Sequence, residues 1–255
     1  EFNGHSEPNV NATEMELVEG LSATSQNCWP SVNFDVGAIN NFLKMFFPAG
    51  FYYKTFMWPK SFWYKIYEPF IRKAAGLGVA SIEKDKERYE HKFEHCDLLV
   101  TGSGPSGLAS AYAAAKNGAK VILAEDKPRF GGTLLTDDVS IDNLSGKDWA
   151  EKIITELKSM PNVTVKNRSQ VFGYYDHNML VMFERVSDHL EKKSKFTPRQ
   201  RLWYIRAKET ILSTGSIERP IVFGNNDTPG IFLSAAAKEY MKVYGVLVGK
   251  KPLIF

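Results

Sequence analysis

The stretch Cys96-Asp-Leu-Leu-Val-Thr-Gly-Ser-Gly-Pro-Ser-Gly107, followed by an alanine-rich run and then by Ala119-Lys-Val-Ile-Leu-Ala-Glu125, decides the fold. It reads as a short apolar strand, a glycine-rich turn, a helix, a second apolar strand and an acid at that strand's end. Gly102 permits the tight turn out of the first strand. Gly104 carries no side chain, so a pyrophosphate can come close to the backbone. Gly107 lets the helix pack tightly on the sheet. The N–H groups at the helix start, at the positive end of its dipole, suit phosphate charge. Glu125, eighteen residues after Gly107, is placed to bond ribose hydroxyls. It would also repel a 2′-phosphate, which favours NAD or FAD over NADP; Lys127 nearby pulls the other way. A glycine motif alone is weak. Here the flanking strand, helix and acid stand at the right spacing, so the expectation is a dinucleotide site on a doubly wound α/β sheet.

Beyond this segment, the chain after Glu125 supplies more turns suited to a ligand. Lys127-Pro-Arg-Phe-Gly-Gly-Thr133 offers two glycines for close backbone approach and the Thr133 hydroxyl as a donor. Residues 148–160 have a helical period, with Trp149, Ile153, Ile154 and Leu157 on one face, and Pro161 ends it. Val163-Thr-Val-Lys166 reads as the next parallel strand, followed by a strand from Val171. Leu180 to Val186 and Leu202 to Ala207 read as two antiparallel strands joined by a basic connector. Thr210-Ile-Leu-Ser-Thr-Gly-Ser-Ile-Glu-Arg-Pro220 reads as the strand that closes a nucleotide domain of the two-dinucleotide flavoprotein type, with Gly215 passing close to the cofactor. A helix is expected over 233–243.

Upstream of the glycine motif the signals are weaker. Residues 1–40 are polar and turn-rich, with a faint strand signal near Thr13 to Val18. Residues 41–78 are dense in aromatics, including Phe42, Phe46, Phe47, Phe51, Tyr52, Tyr53, Trp58, Phe62, Tyr64, Tyr67 and Phe70. From Ser61 the spacing suits a docked helix, either against the rest of the chain or at a subunit interface. The charged run from Ile82 to His95 reads as a solvated linker into the first strand. His91 and His95 stand four apart, but with no third ligand nearby they read as surface histidines. His177, beside Asp176, reads as a turn histidine.

Composition excludes several classes. The chain has 255 residues, 44% of them apolar, and a net charge of +3. That is enough for a core and too little charge to imply nucleic acid. The two cysteines, Cys28 and Cys96, make no C-x-x-C pair. An iron–sulfur cluster, a zinc finger and a flavin disulfide reductase are therefore not expected. No apolar run approaches the ~20 residues that span a bilayer, and no signal peptide is visible. The expected location is cytoplasmic. The opening Glu1-Phe-Asn-Gly lacks an initiator Met, and Lys251-Pro-Leu-Ile-Phe255 reads as the start of a strand, so both ends are expected to be cut.

Several longer stretches carry a family likeness. They are Glu7-Pro-Asn-Val-Asn-Ala-Thr13, Ser25-Gln-Asn-Cys-Trp-Pro-Ser31, Pro48-Ala-Gly-Phe-Tyr-Tyr-Lys-Thr-Phe-Met-Trp-Pro59, Ala74-Ala-Gly-Leu-Gly78, Phe172-Gly-Tyr-Tyr-Asp-His-Asn178, and Thr214-Gly-Ser-Ile-Glu-Arg-Pro220 through Asn225-Asn-Asp-Thr-Pro-Gly230. Together they resemble the α subunit of heterotetrameric sarcosine oxidases, in its N-terminal part. The resemblance implies a Rossmann-like FAD/NAD(P)-binding domain of the two-dinucleotide type, preceded by the remnant of a ferredoxin-like domain without its cluster. It implies boundaries at 1–40 for that remnant, 41–95 for an aromatic connecting segment, 96–249 for the nucleotide domain and 250–255 for the start of a second one. It implies NAD in the first site, held at positions matching Ser106, Glu125, Asp126, Lys127, Thr133 and Val171. Ser103 and Ser106 replace the smaller residues usual in that loop, which leaves the backbone approach open.

For the assembled enzyme, the resemblance implies FAD in a β subunit, covalent FMN between α and β, γ and δ partners, and tetrahydrofolate bound by a later part of α. The reaction implied is oxidative demethylation of sarcosine to glycine with oxygen, giving methylenetetrahydrofolate and hydrogen peroxide. No catalytic acid, base or nucleophile and no metal ligand is assigned to this chain. Related subunits of opine or proline dehydrogenases and of hydrogen cyanide synthase, and a non-catalytic nucleotide scaffold, are the alternatives.

Overall fold

The computed structural model describes residues 7–10, 15–26, 28–31, 33–46, 50, 54–82, 84–226, 228 and 230–254. Of the stretches quoted above, Glu1 to Gly4, Asn11 to Glu14, Asn27, Phe47 to Ala49, Phe51 to Tyr53, Glu83, Asp227, Pro229 and Phe255 lie outside the described residues. The chain divides into two compact units, residues 1–86 and 87–255.

Two strands of one sheet begin the second unit's logic. β1 (Tyr89–Thr101) leads into α1 (Pro105–Lys116) and β2 (Val121–Ala124). α2 (Gly146–Ser159), β3 (Val163–Lys166), β4 (Ser169–Tyr175), β5 (Met179–Arg185), β6 (Gln200–Leu212) and α3 (Ser234–Lys242) follow. The six strands form one sheet in the order β3-β2-β1-β6-β5-β4. β3, β2, β1 and β6 run parallel, while β5 and β4 are antiparallel to their neighbours. This is a Rossmann-like sheet with an antiparallel flank, as the alternation of apolar strands and helices predicts.

Both faces of the parallel strands are apolar and both are covered, so these strands read as continuous hydrophobic runs. On one face Leu98, Val100, Val121 and Leu123 pack against Leu108 and Ala111 of α1 and against Trp149, Ile153, Ile154 and Leu157 of α2. Small alanines let α1 lie close to the sheet. α2 starts where Ser145 caps it: the Ser145 hydroxyl accepts from the Asp148 N–H at 3.1 Å and donates to the Asp148 carboxylate at 2.7 Å, satisfying an orphan donor of the first turn. On the other face Leu99, Ile122 and Ala124 meet Ile205 and Ala207 of β6 and Leu180 and Met182 of the antiparallel β5, with Val171 and Trp203 packed against them.

The first strand is longer than its apolar core suggests. β1 begins at Tyr89, inside the charged run read as a linker, and pairs with β6 from Tyr89↔Gln200 to Thr101↔Leu212. The charged residues there face outward in ion pairs, with Arg201 on Glu90 at 2.8 Å, and Phe93 stacks on Tyr204 at 5.0 Å between centroids. His91 also lies in this strand, stacked on Tyr204. The partner strand is remote in sequence, so local composition hid the pairing. His177 sits in a left-handed turn between β4 and β5, with φ 60°. Lys251 to Ile254 form no strand.

The first unit is built of short pieces. Pro30–Ser31 and Phe34–Asp35 pair antiparallel, and the Asp35 carboxylate accepts from Trp29 and Gly37 N–H groups at 3.1 and 2.9 Å. The faint strand signal before Val18 yields no strand over Met15–Val18. The expected helix after Ser61 is present but uneven: a 3₁₀ turn Lys60–Phe62, a π-turn Trp63–Tyr67, then α-helix Glu68–Ala74. Pro69 explains the widening, because a proline lacks an N–H and its ring crowds the carbonyl four residues back. Tyr67 donates to the Trp58 carbonyl at 2.9 Å and meets the rings of Phe56 and Phe62. Phe42, Trp58 and Tyr64 are exposed.

Candidate dinucleotide site

The glycine loop lies between the exits of three strands. The Gly102 N–H donates to the Ala124 carbonyl of β2 at 2.8 Å, and the Ser213 N–H, just past β6, donates to Thr101 at 2.7 Å. Gly102 has φ +95°, and a β-carbon there would lie 2.2 Å from the Ser213 carbonyl oxygen. Only glycine fits both the dihedral and the space. A β-carbon on Gly107 would lie 1.9 Å from the Gly102 carbonyl oxygen, so α1 can start this close to the strand only without one. These two glycines are required by the protein's own packing.

Gly104 differs. It is the N-cap of α1, with extended backbone and no side-chain cap, and a β-carbon built on it meets nothing within 4 Å. The fold has no steric need for glycine there. Space is kept open at a helix N-terminus, where first-turn N–H groups have no partner inside the helix. Pro105 at the first helical position gives up a donor that the helix could not use. Ser106 follows in the exposed first turn, its carbonyl accepting from Ser110. A second turn approaches from the side: a β-carbon on Gly132 would lie 2.9 Å from the Gly104 α-carbon, and the Gly131 N–H donates to the Ser103 carbonyl at 3.1 Å. Thr133 stands in the short 3₁₀ turn that continues from there.

Glu125 directly follows β2. It is buried, as is Ser103. One carboxylate oxygen accepts from both the amide, at 2.8 Å, and the hydroxyl of Ser103, and the other accepts from the Lys127 N–H at 3.0 Å. A carboxylate offers about four lone-pair sites, and these three donors fill most of them. Burial, then a side-chain hydrogen bond with Asp126, push the Glu125 carboxyl above its ordinary 4.5, while the bonds from Ser103 and Lys127 oppose the rise. Asp126 presents its carbonyl to Arg185 at 2.7 Å. Lys127 reaches Glu239 of α3.

The structure thus brings Gly102, Gly104, Gly107 and Glu125 together around Ser103, with Gly131 and Gly132 against them and Asp126 and Lys127 adjoining Glu125. Val171 is placed otherwise: it is a β4 side chain packed on the second core face. Gly215 follows β6 with φ +68°, and a β-carbon built on it would meet nothing within 4 Å. Sequence reasoning treated Ser103 as a small substitution. Its role as the lock on Glu125 was signalled only by a polar residue between two glycines opposite a strand-end acid. Glu239 gave no local signal.

The sequence and the fold have known relatives. The model of the FAD dependent oxidoreductase family matches residues 97–184. The chain is 51% identical over 252 residues to the alpha subunit of sarcosine oxidase from Rhizobium meliloti (strain 1021), covering 99% of this chain and 26% of that protein. The sarcosine oxidase alpha chain of Corynebacterium sp. (strain U-96) is 40% identical over 179 residues, covering 69% of this chain and 18% of its own length. An opine oxidase chain of Agrobacterium tumefaciens (strain Ach5) is 28% identical over 171 residues, covering 62% of this chain and 33% of its own length. Among solved structures, L-proline dehydrogenase from P. horikoshii superposes with a TM-score of 0.52 at 23% identity, over 68% of this chain and 32% of that one, a likeness of fold. The chain spans about a quarter of the length of the R. meliloti relative. It is, over almost all of its own length, a relative of sarcosine oxidase alpha subunits, with a Rossmann-like domain matched by the FAD dependent oxidoreductase family.

Proposed function

We propose that this chain is the dinucleotide-binding part of the alpha component of a multisubunit sarcosine oxidase, and that its glycine loop holds NAD. The observation that carries the nucleotide site is the open space at Gly104, kept where the packing of the fold does not demand it. The N-terminal amides of α1 would hold the pyrophosphate, Gly104 would let it reach the backbone, and Glu125 would take one ribose hydroxyl. Ser106, Asp126, Lys127, Thr133 and Gly215 complete the proposed lining, while Val171 belongs to the core. Bound there, NAD could supply a hydride acceptor, or serve only as a structural part. A second reading places FAD in the same loop; the family model matching residues 97–184 favours it.

The kinship with sarcosine oxidase alpha subunits supports the rest of the proposal. On that reading sarcosine is oxidised to glycine, with tetrahydrofolate and oxygen as co-substrates. FAD in a β chain would supply the hydride acceptor, a covalent FMN would be held between α and β, and γ and δ chains would complete the assembly. This chain contributes binding rather than an acid, base or nucleophile. Mass spectrometry of the small molecule released by acid from the natively purified protein tests the site. NAD is expected; FAD selects the second reading; release of neither contradicts both. Oxygen uptake with sarcosine by this chain on its own, with no β chain present, would contradict the division of labour.

A further inference from the structure

Lys127 stands two residues past Glu125, where a 2′-phosphate on the adenosine ribose would seek a cation. Its ammonium is already matched. Nζ lies 3.3 and 3.4 Å from the two carboxylate oxygens of Glu239 on α3. α3 is fixed over this side of the domain by charge on three more contacts. Lys238 pairs with Asp137 and Lys242 with Asp138, each at 2.8 Å, and Glu218 accepts from the Ala235 N–H at 2.8 Å and from Ser234 at the helix start. The neighbouring guanidinium groups are engaged as well: Arg185 donates to the Asp126 carbonyl at 2.7 Å and Arg129 to the Val243 carbonyl at 3.4 Å.

We propose that Glu239 is a specificity-determining residue: by neutralising Lys127 from across the fold, it fits the site to an ADP group with a free 2′-hydroxyl and against a 2′-phosphate. The inference rests on the nucleotide reading above. It goes beyond the strand-end acid, because it assigns the discrimination to a second carboxylate on a remote helix. With Glu239 removed, Lys127 becomes a free cation beside the ribose, and a phosphate dianion gains a partner.

The test titrates ADP-ribose and 2′-phospho-ADP-ribose into the protein freed of bound nucleotide, at fixed low salt. It compares the unaltered chain with Glu239→Gln, Lys127→Met and the double variant. In Glu239→Gln the ratio of the two dissociation constants is expected to shift about fivefold toward the phosphorylated probe, the scale of a partly exposed ion pair. ADP-ribose affinity stays unchanged, and the shift vanishes in the double variant. An unchanged ratio in Glu239→Gln overturns the proposal. So does a parallel loss of both affinities, which would mark Glu239 as merely holding α3 in place. Binding of neither probe to the unaltered chain removes the nucleotide reading itself, and this inference with it.

Discussion

The amide and the hydroxyl of Ser103 converge on one carboxylate oxygen of Glu125, both residues being buried. This contact ties the glycine loop to the end of β2, and it stabilises the charged form of an acid that burial pushes the other way. Ser103→Ala removes one of those bonds and leaves a buried oxygen short of a donor, at a cost of about 1–3 kcal/mol. It should also raise the Glu125 pKa further. An acid whose folded pKa exceeds its unfolded value loses stability as pH rises from the unfolded value up to the folded one. The stability gap between Ser103→Ala and the unaltered protein should therefore widen as pH rises beyond the ordinary 4.5 of a glutamate, as read by urea midpoints. A constant gap would show that Ser103 does not set the charge of Glu125.

Gly104, the N-cap of α1, and Gly107, in its first turn, sit three residues apart and answer to different demands. Gly107→Ala drives a methyl into the Gly102 carbonyl, 1.9 Å from where its β-carbon would be. A backbone atom cannot give way as a side chain can. The expected cost is about 3 kcal/mol or more, read as a lowered denaturation midpoint whether or not nucleotide is present. A variant as stable as the original would show that α1 can shift outward freely.

Cys96 lies in the inner core layer, and burial pushes its thiol up to about 11 from 9.0. The native protein therefore keeps that proton where an unfolded chain would lose it, and stability should fall as pH rises from about 9 toward about 11. A shift of this size corresponds to a loss of up to about 3 kcal/mol. At about pH 8 native Cys96 should resist iodoacetamide and react once the protein is denatured, as peptide mass mapping would report. Rapid labelling in the native state would mean the inner layer opens.

The Rossmann-like half of the fold was legible because its signals are local. Apolar runs such as Val121–Ala124, the glycine spacing and the Trp149–Leu157 period each specify an element within a dozen residues. What escaped depended on partners remote in sequence. Tyr89 to His95 look like a linker until β6 supplies a neighbour more than a hundred residues away. Ser103 looks incidental until Glu125 folds back on it. The Lys127–Glu239 pair joins residues with no pattern in common. In the first unit, Pro69 turned an expected regular helix into a π-turn followed by an α-helix.

The central claim is that the space at Gly104 exists for a ligand. Gly104→Val tests it most directly, because a side chain there meets no protein atom within 4 Å of its β-carbon. Isothermal titration of NAD into the original protein and this variant, with thermal midpoints recorded alongside, should show affinity falling at least tenfold, about 1.4 kcal/mol. The loss of stability should stay within about 1 kcal/mol, the scale of an N-cap change. Equal binding by both proteins would contradict the account.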